Sequence, residues 1–265
     1  MTNKEQIYKS YGIAYDAKSG TITSPIFGDV KPLLVNGNAK LGKGVYTWST
    51  LPTNDVHHVN IGTKEAPNYI DVKGTCPMRC TGCYATKGCY NFNSTKKSLA
   101  IKTILIRMFP EFVTSAIIAQ IKADNIKLVR WDASGDIEND MIPYIKQILK
   151  ECKETKFWTY TKNKEAENAF RDFPNFNVVR SLLPCGGLNF GHCDYILTKY
   201  AELQSAGNDP YICRCGIDPN QHCNNCKGCS QFKYVLFVEH STEYKSEVDP
   251  MFPTLKALVE SQVKM

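Results

Sequence analysis

The chain has 265 residues, with 32 Lys and Arg against 26 Asp and Glu for a net charge of +6. At 43% hydrophobic and 22% charged residues it has the composition of a globular protein, which excludes a disordered tail, a collagen-like repeat and an acidic scaffold. The count that stands out is 12 Cys.

No apolar run reaches the ~18 residues of a membrane span, and the opening MTNKEQIYKSYG is polar, so a cytoplasmic protein without a membrane partner is expected. In a reducing compartment, closely spaced thiols point to metal or redox chemistry before disulfides.

Residues 1–67 read as a strand-rich extension, with strands at Leu33–Val35 and Val45–Trp48 around GNAKLGKG. Gly37, Gly42 and Lys43 come close to a phosphate-cradling loop, but Gly44 stands where Ser or Thr would hold magnesium. The β-branched and aromatic VYTWST that follows reads as a strand, not the helix such a loop needs, so a hairpin turn is expected.

From 68 to 210 strands and helices alternate. The strands are expected at Tyr69–Val72, Ile126–Trp131, Phe157–Thr161 and Val178–Leu183. The helices run from Ser94 or Thr95 to Met108, from Pro110 with Val113, Ile117 and Ile121 on one face, and over Met141–Lys153, Lys164–Phe170 and Tyr195–Ser205. This alternation predicts an α/β fold, a partial β/α barrel of parallel strands, with function at the strands' carboxyl ends. Residues 211–265 read as a Cys-rich metal-binding segment with a closing strand, Tyr234–Val238, and a helix from about Thr254.

Cys76, Cys80 and Cys83 fall at C-x3-C-x2-C in GTCPMRCTGCY. Three thiolates at this spacing can wrap one corner of a 4Fe–4S cubane and leave the fourth iron open, whereas zinc more usually draws paired C-x2-C motifs. Cys89, six residues on, is a fourth ligand or a small packed thiol. Cys213, Cys215, Cys223, Cys226 and Cys229 form a second group, C-x-C-x7-C-x2-C-x2-C, with His222 beside it. Cys223, Cys226, Cys229 and one of Cys213 and Cys215 suffice for a closed 4Fe–4S cluster or one tetrahedral zinc, and a closed site of that kind can simply staple a loop.

The first motif resembles the cluster motif of radical S-adenosylmethionine enzymes, in which the open iron is chelated by the cofactor. Gly82 stands where that family often has an aromatic residue, and Tyr84 follows the last Cys. Val129 to Asp136, VRWDASGD, is similar to the family's second-strand turn, with Ser134-Gly135-Asp136 in place of two glycines and Glu. The resemblance implies that Ser134, Gly135 and Asp136 help seat the methionine end, with Thr161 (and Thr159) and Ser181 directed towards S-adenosylmethionine from later strand ends. A second resemblance, over about residues 34–240, is to the phage gene product 88 family, carried by GNAKLGKGVYTW, CP...C..CYATKG, VRWDASGDI, KFWTYTKN, FNVVRSLLP and the closing cysteines. It implies a phage origin, with no settled reaction attached.

Other residues have plainer expectations. Arg130 and Asp132 share a strand face opposite Trp131, either at a barrel mouth or as a surface pair, and Asp136 reads as a helix N-cap. His57 and His58 read as surface residues, His240 as a strand-end histidine, Cys152 as packed, and Cys185 and Cys193 as thiols flanking a turn. Lys96, Lys97 and Lys102 read as a solvated helix face.

Two functions follow. One is an iron–sulfur enzyme that cleaves S-adenosylmethionine to act on an unknown substrate. The other is a non-catalytic phage protein with structural iron–sulfur or zinc sites that binds nucleic acid or a host protein, although the basic residues form no concentrated stripe.

Overall fold

The computed structural model describes residues 1–265 except 38–40, 79–82, 181–189, 215–216, 219, 227, 239–245 and 263–265. The chain opens on a helix that the sequence reading had as strand and turn, α1 (Asn3–Ser10). Its signal was present: Thr2 and Glu5 form a reciprocal capping box. A three-stranded antiparallel meander follows, β1 (Tyr15–Asp16), β2 (Thr21–Ser24) and β3 (Gly28–Val30).

The expected hairpin comes next as β4 (Val35–Asn36) and β5 (Val45–Thr47), which pair antiparallel. A strand therefore follows the glycine-rich loop, as expected. A second antiparallel pair, β6 (Val56–Asn60) and β7 (Tyr69–Lys73), precedes two helices, α2 (Asn93–Met108) and α3 (Pro110–Ala123). Pro110 starts α3 at a position where its missing N–H costs nothing. The alternation then runs β8 (Leu128–Arg130), α4 (Ile142–Glu151), β9 (Lys156–Thr161), α5 (Lys164–Phe170), β10 (Phe176–Arg180).

The main sheet has the order β10-β9-β8-β5-β4, and β5, β8, β9 and β10 are parallel. The first parallel strand is thus β5, from within the expected N-terminal extension. The strand expected to fill that place, Tyr69–Val72, is β7, which pairs with β6 outside this sheet. Its alternation marks a half-buried strand but does not choose between partners.

Side chains alternate across the sheet and sort the core into two layers. Trp48, Val129, Trp131, Phe157 and Phe176 belong to the main core with α1 and the helices α2 to α5. Val45, Leu128, Trp158, Tyr160 and Val179 lie on the other face, against Leu41, Cys213, Cys223, Cys226 and Cys229. In a β/α barrel that second face would line the interior; here the cysteine-rich segment fills it.

The rest of the chain is α6 (Cys193–Ser205), α7 (Cys223–Cys226), α8 (Phe252–Ser261) and three short strands, β11 (Phe190–Gly191), β12 (Pro210–Ile212) and β13 (Tyr234–Val238). These strands form a parallel sheet in the order β11-β13-β12. The closing strand is buried on both sides: Leu236 and Val238 pack with α6 and α8, while Val235 and Phe237 face the cysteine-rich segment.

Among the described residues no single helix is long and apolar enough to cross a membrane; α2 and α3 pass such a test only together, bent by 117°. Both contribute to the buried core. Lys102 of α2 is also buried, 5.9 Å from the Trp48 ring, and so is not part of a solvated face.

Candidate functional site

The first site lies where the carboxyl ends of β5 and β8 meet the root of the cysteine loop. Beyond the strands the ladder continues irregularly: Ala133 N–H donates to Trp48 O at 3.2 Å and Thr50 N–H to Ser134 O at 3.0 Å. Thr75, immediately before Cys76, is fastened to both strand ends. Its N–H donates to Leu51 O at 3.0 Å, its hydroxyl lies 2.8 Å from that of Thr50, and its Oγ1 accepts the Asp136 N–H at 2.9 Å.

Gly135 makes this contact possible, since at φ +87° a Cβ there would lie 2.0 Å from Thr50 Oγ1. From the helical side, Arg107 forks onto Glu138 at 2.8 and 2.6 Å and also donates to Lys73 O and Gly74 O. The Tyr90 hydroxyl donates to Ala133 O at 3.2 Å. The cysteine motif therefore begins at the carboxyl edge of the parallel sheet, although the strand before it belongs to another hairpin.

Asp136 is not a helix N-cap. Its Oδ1 accepts from Ile137 N–H at 2.8 Å and from the Thr161 hydroxyl at 2.5 Å, and its Oδ2 from Lys162 N–H at 2.9 Å. The carboxylate thus ties the β8 turn to the end of β9. Burial raises its pKa, against the hydrogen bonds from Thr161, Lys162 and Ile137.

Asp132 turns off the strand at φ +50°, while Arg130 stays over the Tyr160 ring at 5.4 Å on the face filled by the cysteine-rich segment. Asp132 is 3% exposed, with Oδ1 3.4 Å from Thr50 Oγ1. Its Oδ2 and the buried hydroxyl of Ser134 have no hydrogen-bond partner among the described residues. A strained residue beside unspent buried polar atoms is a common mark of a functional turn.

Burial, then the charge of Asp136, raises the Asp132 carboxyl well above its ordinary range. The folded chain then keeps a proton that the unfolded chain releases, so this residue's contribution to stability is lost as pH rises beyond about 4. Asp132→Asn, which keeps the shape and tolerates positive φ, is expected to remove up to ~1.4 kcal/mol per pH unit of that slope. In urea titrations the variant should exceed the wild type at pH 8 but not at pH 4; parallel pH profiles would refute the assignment.

Of the first cysteines, Cys76 and Cys83 are half-buried and Cys89 is exposed, so Cys89 is not the packed thiol its position suggested. Burial raises the Cys76 thiol, and both Asp136 and Cys83 act on it in the same direction. Cys80 and Ser181 lie outside the described residues, as do Cys185, Cys215 and His240.

The second site is on the filled face of the sheet. Cys213, Cys223, Cys226 and Cys229 line one cavity with Trp158, Gly228 and Ser230. The glycine-rich loop anchors this turn: Asn224 N–H donates to Leu41 O at 3.0 Å, and its Nδ2 to Lys43 O at 3.3 Å. At Gly42, φ +81°, a Cβ would lie 2.5 Å from Asn224 Oδ1, so the loop that imitates a phosphate cradle is a seat for α7. Asn177 of β10 holds the other end, donating to Cys229 O at 2.9 Å and Phe232 O at 2.8 Å.

Burial first, then the charge of Cys213, pushes the Cys229 thiol strongly up. His222 is half-buried and does not line the cavity. Among the described residues, no group of three or more His, Cys, Asp or Glu side chains is arranged to hold a single metal ion.

Elsewhere, His57 Nε2 lies 2.7 Å from Pro52 O, and His58 pairs with Asp71 and stacks on Tyr69 at the surface. Cys152 and Cys193 are packed in hydrophobic cores.

The family model for gene product 88 matches residues 32–184, more than half of the chain. The protein belongs to the phage gene product 88 family. The gene product 88 match takes in the hairpin β4–β5, the first cysteine motif and the Asp132–Asp136 turn, and it ends before the second cysteine group. No curated protein and no solved structure matches the chain.

The residues that sequence reasoning passed over are Thr50, Thr75, Tyr90 and Arg107, which position the first site, and Asn177, Tyr160 and Tyr211 around the second.

Proposed function

We propose that this gene product 88 protein is an iron–sulfur enzyme of the radical S-adenosylmethionine type. Cys76, Cys80 and Cys83 would hold a 4Fe–4S cluster with one open iron, and Cys213, Cys223, Cys226 and Cys229 a closed one. The observation that carries the reading is the Thr75 fastening, which puts Cys76 beside the strained, buried Asp132–Asp136 turn at the carboxyl edge of a parallel sheet. When bound, the open cluster supplies an electron that breaks a C–S bond of S-adenosylmethionine, giving methionine and a carbon-centred radical.

The residues fit the cofactor unevenly. Ser134 keeps an unspent buried hydroxyl at the turn. Asp136 and Thr161 spend their side chains on one another, so they shape the turn instead of offering free ligands. Gly135 lets the turn close against Thr50 and Thr75. Lys162, next to Thr161, acts on Cys76 as a nearby positive charge and favours its thiolate.

The second site offers four thiols, a donor set that serves a 4Fe–4S cluster or one tetrahedral zinc. One tetrahedral zinc would draw its sulfurs to ~2.3 Å of a common point.

The test is low-temperature EPR of anaerobically purified, dithionite-reduced protein, with and without S-adenosylmethionine. A 4Fe–4S signal that changes with the cofactor, and is lost in Cys76→Ala, is expected. A signal indifferent to the cofactor would remove the enzyme reading.

A second reading follows from the inner face of the sheet, where among the described residues Cys213, Cys223, Cys226 and Cys229 pack with Trp158, Tyr160 and Val179: both clusters staple the fold, and the protein binds nucleic acid or a host protein. Salt-dependent retention on nucleic acid would support its nucleic-acid form, and its absence would dismiss that form.

A further inference from the structure

Four thiolates around an iron–sulfur or zinc centre leave excess negative charge in a buried place, and that charge needs compensation from the protein. The surroundings of the second cysteine group provide it from three different strands. Tyr211 of β12 places its hydroxyl 3.1 Å from Cys226 Sγ, and its ring is held by stacking on Phe232 at 4.7 Å. Gly228 leaves room for that ring, since a Cβ there would lie 2.2 Å from Tyr211.

Tyr160 of β9 is on the same face, packed edge-on to Phe237 at 5.5 Å, and its buried hydroxyl forms no hydrogen bond of good geometry. The charged groups that act on it are Cys229 first, then Arg130 and Cys213. Arg130 of β8 lies over the Tyr160 ring and also acts on Cys229 as a positive charge. Two phenol hydroxyls and one guanidinium thus surround the cysteine group, on a face that also carries Asn177, spent on the Cys229 and Phe232 carbonyls, and Ser230.

We propose that Tyr160, Tyr211 and Arg130 form an outer shell for the metal centre at Cys213, Cys223, Cys226 and Cys229, the two hydroxyls donating hydrogen bonds to ligand sulfurs and Arg130 neutralising their charge. The inference rests on the metal reading of that site. These are positioning residues: hydrogen bonds to sulfur and a nearby cation stabilise the more reduced, more negative cluster and so raise its reduction potential, and they slow loss of the metal. The sequence signal is confined to the phenols of WTYT and of PYIC and the arginine of VRW, none of which reads as a metal-site residue until the fold brings them together.

The experiment uses the full chain, purified anaerobically in a Cys76→Ala background so that the metal signal comes from the second site. Tyr160→Phe, Tyr211→Phe and the double variant keep the rings and remove only the hydroxyls. Metal content per chain, metal transfer to a chelator and, for iron, the midpoint potential are compared with the parent. The double variant is expected to bind metal ~10–100-fold more weakly, with the potential shifted negative. Arg130→Gln should shift the potential the same way, and Arg130→Lys should restore most of it. Parent-like affinity and potential in the Phe variants, with metal present in all of them, would overturn the outer shell alone. A parent that carries no metal would overturn the metal reading and the inference with it.

Discussion

On the proposed metal reading, Cys229→Ser is expected to empty the second cysteine site and to loosen the inner face of the sheet. The residue links three structures: its side chain lines the four-cysteine cavity, its carbonyl accepts from Asn177 of β10, and it packs against Trp158 and Tyr160 of β9. Structural metals in small sites contribute on the order of 10 kcal/mol to folding, more than the net stability of most domains. The segment has little regular structure of its own, since α7 is only 4 residues long, and is otherwise held by the Asn224 and Asn177 hydrogen bonds and by packing on the sheet. Iron and zinc analysis together with thermal unfolding should show metal lost from this site and a transition lowered or broadened into two steps. Retention of full metal content and an unchanged transition would show that Cys229 is an ordinary packed thiol. Stripping the wild type with a chelator should reproduce the variant's behaviour.

The second large effect is expected from Asp136→Ala. The substitution removes both acceptor oxygens from a buried node and leaves Ile137 N–H, Lys162 N–H and the Thr161 hydroxyl without their bonds. Each orphaned buried donor costs about 1–3 kcal/mol, so a loss of roughly 3–9 kcal/mol for the three is expected, read as a lower urea midpoint. Thr161→Val removes one donor along with one acceptor bond and should cost much less, which separates the node from a general sensitivity of the turn. If Cys76, Cys80 and Cys83 hold the proposed cluster, its signal should weaken in Asp136→Ala, because the Asp136 N–H to Thr75 bond holds the root of the cysteine loop. A midpoint within ~0.5 kcal/mol of the wild type would show that the carboxylate is dispensable.

Much of the fold could be read from local pattern. Pro110 at the first turn of α3, and Asn163 capping α5 through Glu165 and Ala166 N–H, are signals that need no tertiary knowledge. The strands β8, β9 and β10 and the hairpin β4–β5 followed from β-branched runs between turns. Partner choice was not legible: Tyr69–Lys73 has the alternation of any half-buried strand, and only the folded chain assigns it to β6. Lys102 was misplaced for a related reason, since its neighbours Lys96 and Lys97 set a solvated pattern that the Trp48 contact overrides. In the candidate sites the cysteines announced themselves through spacing. The groups that hold and tune them, Thr75, Arg107, Asn177, Tyr160 and Tyr211, are ordinary residues whose roles depend on contacts between distant parts of the chain.

The seating of α7 on the glycine-rich loop joins Asn224 to Lys43 across 181 positions of sequence. During vectorial synthesis the strands of the main sheet are complete by Arg180, yet the cysteine-rich cover for Val45, Trp158 and Val179 has not emerged from the ribosome. The nascent chain therefore passes through an interval with one apolar flank of its sheet bare, the condition in which intermediates aggregate. The cover arrives only with the segment from Tyr211 to Phe237, so the interval ends when the last quarter of the chain has been made and has packed onto that face.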